Sequence, residues 1–200
     1  MVWRGFLICT LFLGLLVIGG GDGVAQQMVI DREFELKAAY LYQFARYVEW
    51  PKNIVPDDDT TFVIGVLGKD PFGSHLERIA AAKTVQGRKI VVRRFDSAKD
   101  YQPCHILFVA SGSTETGNER TPAERLAAAL TATGGGAVLV VSESASFARK
   151  GAVINFLVDP QENRIKLEVN RDAERRAGLK ISSQLLGLEK SGVVKIVSNN

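Results

Sequence analysis

Cysteine is nearly absent from this 200-residue chain, which has Cys9 and Cys104 and no others. So few exclude a disulfide-stapled scaffold. Histidine is equally scarce, with only His75 and His105. Cys104 and His105 are neighbours on a predicted strand and point to opposite faces, so no shared metal ion and no cofactor is expected. The formal charge is only +3, too weak to steer the chain toward nucleic acid. No repeat or low-complexity tract appears, and 46% hydrophobic with 24% charged residues is the make-up of one ordinary globular domain. Beyond Gly20 no apolar run is long enough to span a membrane.

The one long apolar run opens the chain. Arg4 supplies a positive start, residues 5–20 are uncharged and mostly apolar, and small residues lead to Ala25. That is the build of a secretory leader, expected as residues 1–25, with residues 26–200 forming a soluble domain outside the cytoplasm. Sixteen apolar residues at about 1.5 Å each reach roughly 24 Å, short of a bilayer core, so a retained anchor is the weaker reading. Arg4 and Asp22 leave together and the charge stays +3. Cys9 leaves too, so Cys104 stands alone. It reads as a buried thiol beside the apolar residues 106–109, or as a redox-active or intermolecular cysteine.

Periodicity predicts the elements. Phe34, Ala38, Leu41, Ala45 and Val48 recur at steps of three and four, which marks an amphipathic helix over 32–48 that Pro51 stops. Residues 62–67, 89–95, 104–110, 137–141, 152–158 and 165–170 read as strands, several of them apolar throughout, as in a parallel sheet. Helices are expected at 75–82, 121–133, 172–177 and 182–189. Thr121, Pro122 and Glu124 give the second of these a cap, a first-position proline and an acid in its first turn. The last two strands are close enough to form a hairpin. The expected fold is α/β, a single layered domain with a mostly parallel or mixed sheet, helices on its faces and a C-terminal antiparallel hairpin.

Catalytic signatures are weak. Residues 68–74 follow a strand and open a helix, but His75 stands where a phosphate loop needs Lys-Ser or Lys-Thr, and Pro71 removes an amide. A strand-to-helix turn capped by Ser74 is expected, with a generic anion site at that helix start as the alternative. Ser111 and Ser113 lack the glycine two residues before them that a nucleophile elbow requires. Asp57, Asp58 and Asp59 lack the spacing of a calcium loop. Arg88, Lys89, Arg93 and Arg94 mark a strand at an edge or with a wet face. Aromatics say more. Six of the 13 beyond Ala25 lie between Phe34 and Trp50. Tyr40, Phe44, Tyr47 and Trp50 either form an oligomer or partner surface or cover the domain's own sheet, and both readings stand.

Residues Ala39-Tyr40-Leu41-Tyr42-Gln43-Phe44-Ala45-Arg46-Tyr47-Val48-Glu49-Trp50-Pro51 resemble the opening signature of the YfiR-like periplasmic family. Gly65-Val66-Leu67-Gly68-Lys69-Asp70-Pro71-Phe72-Gly73, Cys104-His105-Ile106-Leu107-Phe108, Gly151-Ala152-Val153-Ile154-Asn155-Phe156 and Arg176-Ala177-Gly178-Leu179-Lys180-Ile181-Ser182-Ser183-Gln184-Leu185-Leu186 are similar too, in the family's order. The resemblance implies a family domain with its core at about 34–190, and a regulator rather than an enzyme. In that reading the protein binds the periplasmic sensor region of an inner-membrane diguanylate cyclase, as a dimer, and lowers cyclic-di-GMP and biofilm formation. It implies Phe156, Glu168 and Asn170 as partner-binding residues and Arg176, Lys180 and Ser182 as a ligand or contact patch. Relatives carry internal disulfides that tune repression, and Cys104 departs from that pattern because no second cysteine remains beyond the leader. The alternative is a periplasmic small-molecule-binding domain serving a different membrane receptor or sensor kinase.

Overall fold

Strand β2 (Thr61–Leu67) is apolar on both faces, and everything else is arranged around it. A computed structural model describes residues 21–51, 60–112, 121–159, 161–162 and 164–199, with the side chains of 21–25 excepted. The leader expected at 1–25 therefore lies almost wholly outside the described residues, as do Asp57, Asp58, Asp59 and Ser113.

Helix α1 (Gly21–Tyr47) runs into a two-residue strand β1 (Val48–Glu49). After β2 come α2 (His75–Ala82), β3 (Thr84–Val85), β4 (Arg88–Phe95), a 3-10 turn (Ala98–Asp100), β5 (Ile106–Val109), α3 (Pro122–Thr133), β6 (Leu139–Ser142), β7 (Ile154–Asp159) and β8 (Arg164–Asn170). Helix α4 (Arg171–Arg176), β9 (Lys180–Ile181), α5 (Ser183–Leu186), a second 3-10 turn (Gly187–Ser191) and β10 (Val194–Val197) complete the chain. The predicted strands and helices are present in this order, and the fold is α/β in a single layered domain.

The main sheet has the order β10-β8-β7-β6-β5-β2-β4-β3. Strands β4, β2, β5, β6 and β7 are mutually parallel. Strand β8 returns antiparallel to β7, giving the expected hairpin, and β10 adds itself parallel to β8. Four features depart from the expectation. Helix α1 begins at Gly21, not near Arg32. The helix expected over 182–189 is only one turn, because at Gly187 the chain tightens into a 3-10 turn. Strand β10 was not foreseen, and neither was the small antiparallel pair of β1 with β9, where Val48 faces Ile181.

Alternation along the strands builds two cores. On one face Phe62, Ile64, Val66, Phe108, Val141, Ile154, Phe156 and Leu167 pack under Leu41, Phe44 and Ala45 of α1. On the other, Val63, Leu67, Leu107, Val109 and Val140 pack under Leu126 and Ala129 of α3. Helix α3 is set by its predicted start. Thr121 Oγ1 accepts from Glu124 N at 3.2 Å, Glu124 Oε2 accepts from Thr121 N at 2.9 Å, and Gly134 ends the helix at φ +57°.

Candidate functional site

The chain adds β4 on one side of β2 and then β5 on the other, so the strand order reverses between β2 and β5. In open α/β sheets the crevice beyond the carboxyl ends of such a strand pair takes the ligand. Here the chain fills that place itself. Arg125, from the first turn of α3, is 1% exposed and donates through Nη1 to Ala110 O at 2.5 Å. It lies over Gly68, which has φ +91°, and a Cβ there would come within 2.8 Å of Arg125 Nε. Glycine is required both for the turn and for the close approach. The loop after β2 is likewise internally satisfied. Asp70 Oδ1 accepts from Phe72 N at 2.7 Å, and its Oδ2 accepts from Arg94 Nε at 2.6 Å. Ser74 occupies the cap position of α2, but its hydroxyl meets Arg78 Nη1 rather than a helix amide.

Beside the crevice lies a buried charge cluster. Lys37 of α1, 3% exposed, donates to Glu143 Oε2 at 2.7 Å and to Glu33 Oε1 at 2.5 Å. Ser111 donates to Glu143 Oε1 from both its amide and its hydroxyl, each at 2.9 Å. The lysine also stands 4.6 Å over the Phe34 ring. The carboxylate that accepts from Ser111 is at the same time ion-paired with Lys37. The cluster ties α1 to the ends of β5 and β6.

The two histidines are separate. His75 is buried, with Nε2 2.8 Å from Asp31 Oδ1 and Nδ1 facing Arg78. His105 stacks on Phe62 at 4.2 Å, and its Nδ1 accepts from Val63 N at 3.0 Å. Burial, aided by the Arg88 guanidinium nearby, pushes its pKa down to about 4. Cys104 is a buried free thiol in the α3-side core, where burial pushes its pKa up to about 12. Among the described residues no three His, Cys, Asp or Glu side chains gather as a metal site.

The profile of the YfiR/HmsC-like family matches residues 34–189. The chain belongs to the YfiR/HmsC-like family. No curated protein sequence matches it. Two solved structures are similar. One is a conserved domain protein from Vibrio cholerae O1 biovar eltor, 13% identical, with TM-score 0.48 over 84% of this chain and 60% of that one. The other is the ABC domain in complex with L-Trp from Streptococcus pneumonia, 10% identical, with TM-score 0.42 over 63% of this chain and 53% of that one. The chain thus spans about 60% of the length of the first. At these scores neither likeness bears on fold or ligand.

In this YfiR/HmsC-like chain the residues singled out by the resemblance do not gather into one site. Phe156 is 1% exposed, stacked on Phe44 at 5.7 Å and near Tyr40 and Phe108, so it presents nothing to a partner directly. Glu168 lies on the opposite face of the sheet and is also buried. Its Oε2 accepts from Asn155 Nδ2 at 3.2 Å, while Asn155 Oδ1 accepts from Ser142 Oγ at 2.7 Å. Asn170 caps α4, with Oδ1 accepting from Asp172 N and Ala173 N at 2.9 and 3.0 Å. Arg176 is exposed and lines a cavity between α3 and α4, whereas Lys180 and Ser182 do not line it. Lys180 sits opposite Glu49 in the β1–β9 pair, and Ser182 caps α5.

The aromatic run folds onto the chain's own sheet. Phe44 is fully buried, Tyr40, Tyr47 and Trp50 are half-buried against the core, and Trp50 meets Phe62 edge-on at 5.3 Å. Exposed apolar side chains lie elsewhere. Met28, Val29 and Leu36 of α1 are 69%, 58% and 46% exposed, and Val158 at the hairpin is 46% exposed. Val29, Leu36 and Val158 share a shallow hollow of about 130 Å³ with Arg32, Glu33 and Arg164. Sequence reasoning missed this patch, together with Lys37, Glu143 and Arg125. A lone arginine amid the alanines and leucines of α3 was the available signal for the last.

Proposed function

We propose that the protein is a periplasmic regulator that represses an inner-membrane diguanylate cyclase by docking, as a dimer, on the cyclase's periplasmic region. Family membership across residues 34–189 carries this reading. The docking surface is the hollow shared by Val29, Leu36 and Val158, an apolar patch rimmed by Arg32, Glu33 and Arg164. Phe156 and Glu168 belong to the same hairpin as Val158 and Arg164 and act from behind, holding the two strands in register. Asn170 does so by starting α4 where β8 ends. Repression requires that the protein bind one cyclase state more tightly than the other.

Deleting the protein should raise cyclic-di-GMP, and the wild-type chain should co-purify with the membrane cyclase. Val158→Lys with Leu36→Lys should abolish that capture while leaving stability within about 0.5 kcal/mol, since both side chains are exposed. Unchanged cyclic-di-GMP with no captured cyclase would sink the proposal. Capture of a sensor kinase or another receptor in its place would favour the alternative partner.

A further inference from the structure

At the end of the sheet away from the Arg125-filled crevice, a cavity of about 380 Å³ opens between the last turn of α3 and α4. Its floor is apolar, made by Leu130, Val140, Val153 and Ala173, and three cations stand on its lining, Arg149, Lys150 and Arg176. Among the described residues no acidic side chain lines it. The volume lies near the lower end of the range for small-molecule sites.

The opening is built into the backbone. Gly135 and Gly136, after the left-handed cap at Gly134, form one wall without side chains. Gly151 forms another at φ +117°, and a Cβ there would lie 2.9 Å from Leu130 Cδ1. Any other residue would strain the turn and displace the tip of the Leu130 side chain.

Among the described residues no carboxylate balances Lys150 or Arg176. Asp172 and Glu174, the acids of α4, are spent on other partners. Asp172 meets Arg175 and accepts from Asn199 N at 3.0 Å. Glu174 meets Arg171 at 2.7 Å and accepts from Ile181 N, also at 2.7 Å. Among the described residues neither Lys150 nor Arg176 has a carboxylate within ion-pair distance. The Lys150 ammonium lies 5.1 Å over the Phe147 ring, and Arg176 faces the neutral amide of Asn199. Lys150 and Arg176 give the mouth of the hollow a positive potential, which attracts an anion from solution. The apolar floor favours a molecule with a carbon body over a bare ion.

We propose that this cavity binds a small organic anion, one carboxylate on an apolar body, with the carboxylate held by Lys150 and Arg176 and the body on the valine floor. Binding is read on the protein alone, with no cyclase present, so its outcome is separate from that of the regulatory reading. The test is an amide NMR titration of the full chain with phenylacetate, against phenylacetamide, acetate and inorganic phosphate. Phenylacetate should saturate, with shifts centred on Gly135, Gly136, Gly151 and Ala173. Removing the charge or the apolar body should each weaken binding about tenfold, the scale of one charge-assisted hydrogen bond or a buried ring. Lys150→Ala with Arg176→Ala should weaken it by about as much, and Ala177→Leu, which fills the half-buried floor beside Ala173, should block it with the charges intact. The absence of saturable shifts at these glycines would overturn the proposal. So would equal binding of the amide or of phosphate by the wild-type chain, comparisons that need no variant to fold, and so would full binding by both variants.

Discussion

Under α1 the sheet is covered by a run of rings, and under α3 it is covered mostly by short aliphatic chains, with Phe95 and Phe147 among them, that give out before the hairpin. Phe34, Phe72, Phe108, Phe156 and Phe44 form a continuous path of ring contacts between 4.7 and 6.4 Å. On the opposite face Leu126 and Ala129 reach β2, β5 and β6, while the hairpin carries Asn155, Glu168 and Asn170, buried and hydrogen-bonded. The ring-packed part of the α1 face is therefore closed and committed to stability, and the docking hollow lies beyond it, where Val158 at the hairpin end is left exposed. The other face changes from apolar to polar along the sheet, and where its helical cover ends the cavity between α3 and α4 opens. Binding capacity follows the shortage of cover, not the abundance of aromatics.

That contrast can be tested from its strongest point downward. Phe156→Ala removes the ring that joins α1 to the sheet and should cost about 3–5 kcal/mol in chemical denaturation. A loss below 1 kcal/mol would mean the ring face is not the main support. Lys37→Met leaves Glu143 buried with only Ser111 to satisfy it and should cost about 3 kcal/mol, part of which Glu143→Gln in the same chain should restore.

His105 reports the aromatic face by pH. Its folded pKa, about 4, lies below the ordinary 6.5, so the unfolded chain binds the extra proton between those values. Stability from this group is full above pH 6.5 and is lost as pH falls toward 4, on the order of 2–3 kcal/mol. Denaturation curves of His105→Phe should lack that part of the slope. Across the sheet, Glu168→Ala strands Asn155 Nδ2 and should cost about 2 kcal/mol. An unchanged midpoint there would show that the polar patch contributes nothing to stability and would leave Glu168 free for a partner.

The parts legible in the sequence were those decided by neighbours along the chain. Strand β2 announced itself as an unbroken apolar run, and Thr121, Pro122 and Glu124 marked the start of α3 because a cap acts over three residues. Strand β10 was hidden because Lys195 interrupts four residues whose pairing to β8 lies some 27 positions back. Lys37 and Glu143 are 106 residues apart, and no spacing rule reaches that far. The burial of Phe156 could have been read from its alternation with Ile154. That of Glu168 could not, since its partner Asn155 faces it only once the hairpin has formed.

Strand β10 also sets the order in which this fold can be finished. Residues Val194–Val197 cover the edge of β8, and α1, from the other end of the described chain, covers the ring face. The sheet has neither its border nor its roof until both ends have been delivered. A chain stopped short of Val194 would present β8 as a bare, ready-made template for strand addition by another molecule. A domain lacking β10 would therefore be a product prone to self-association through the bared edge of β8 rather than a smaller working domain.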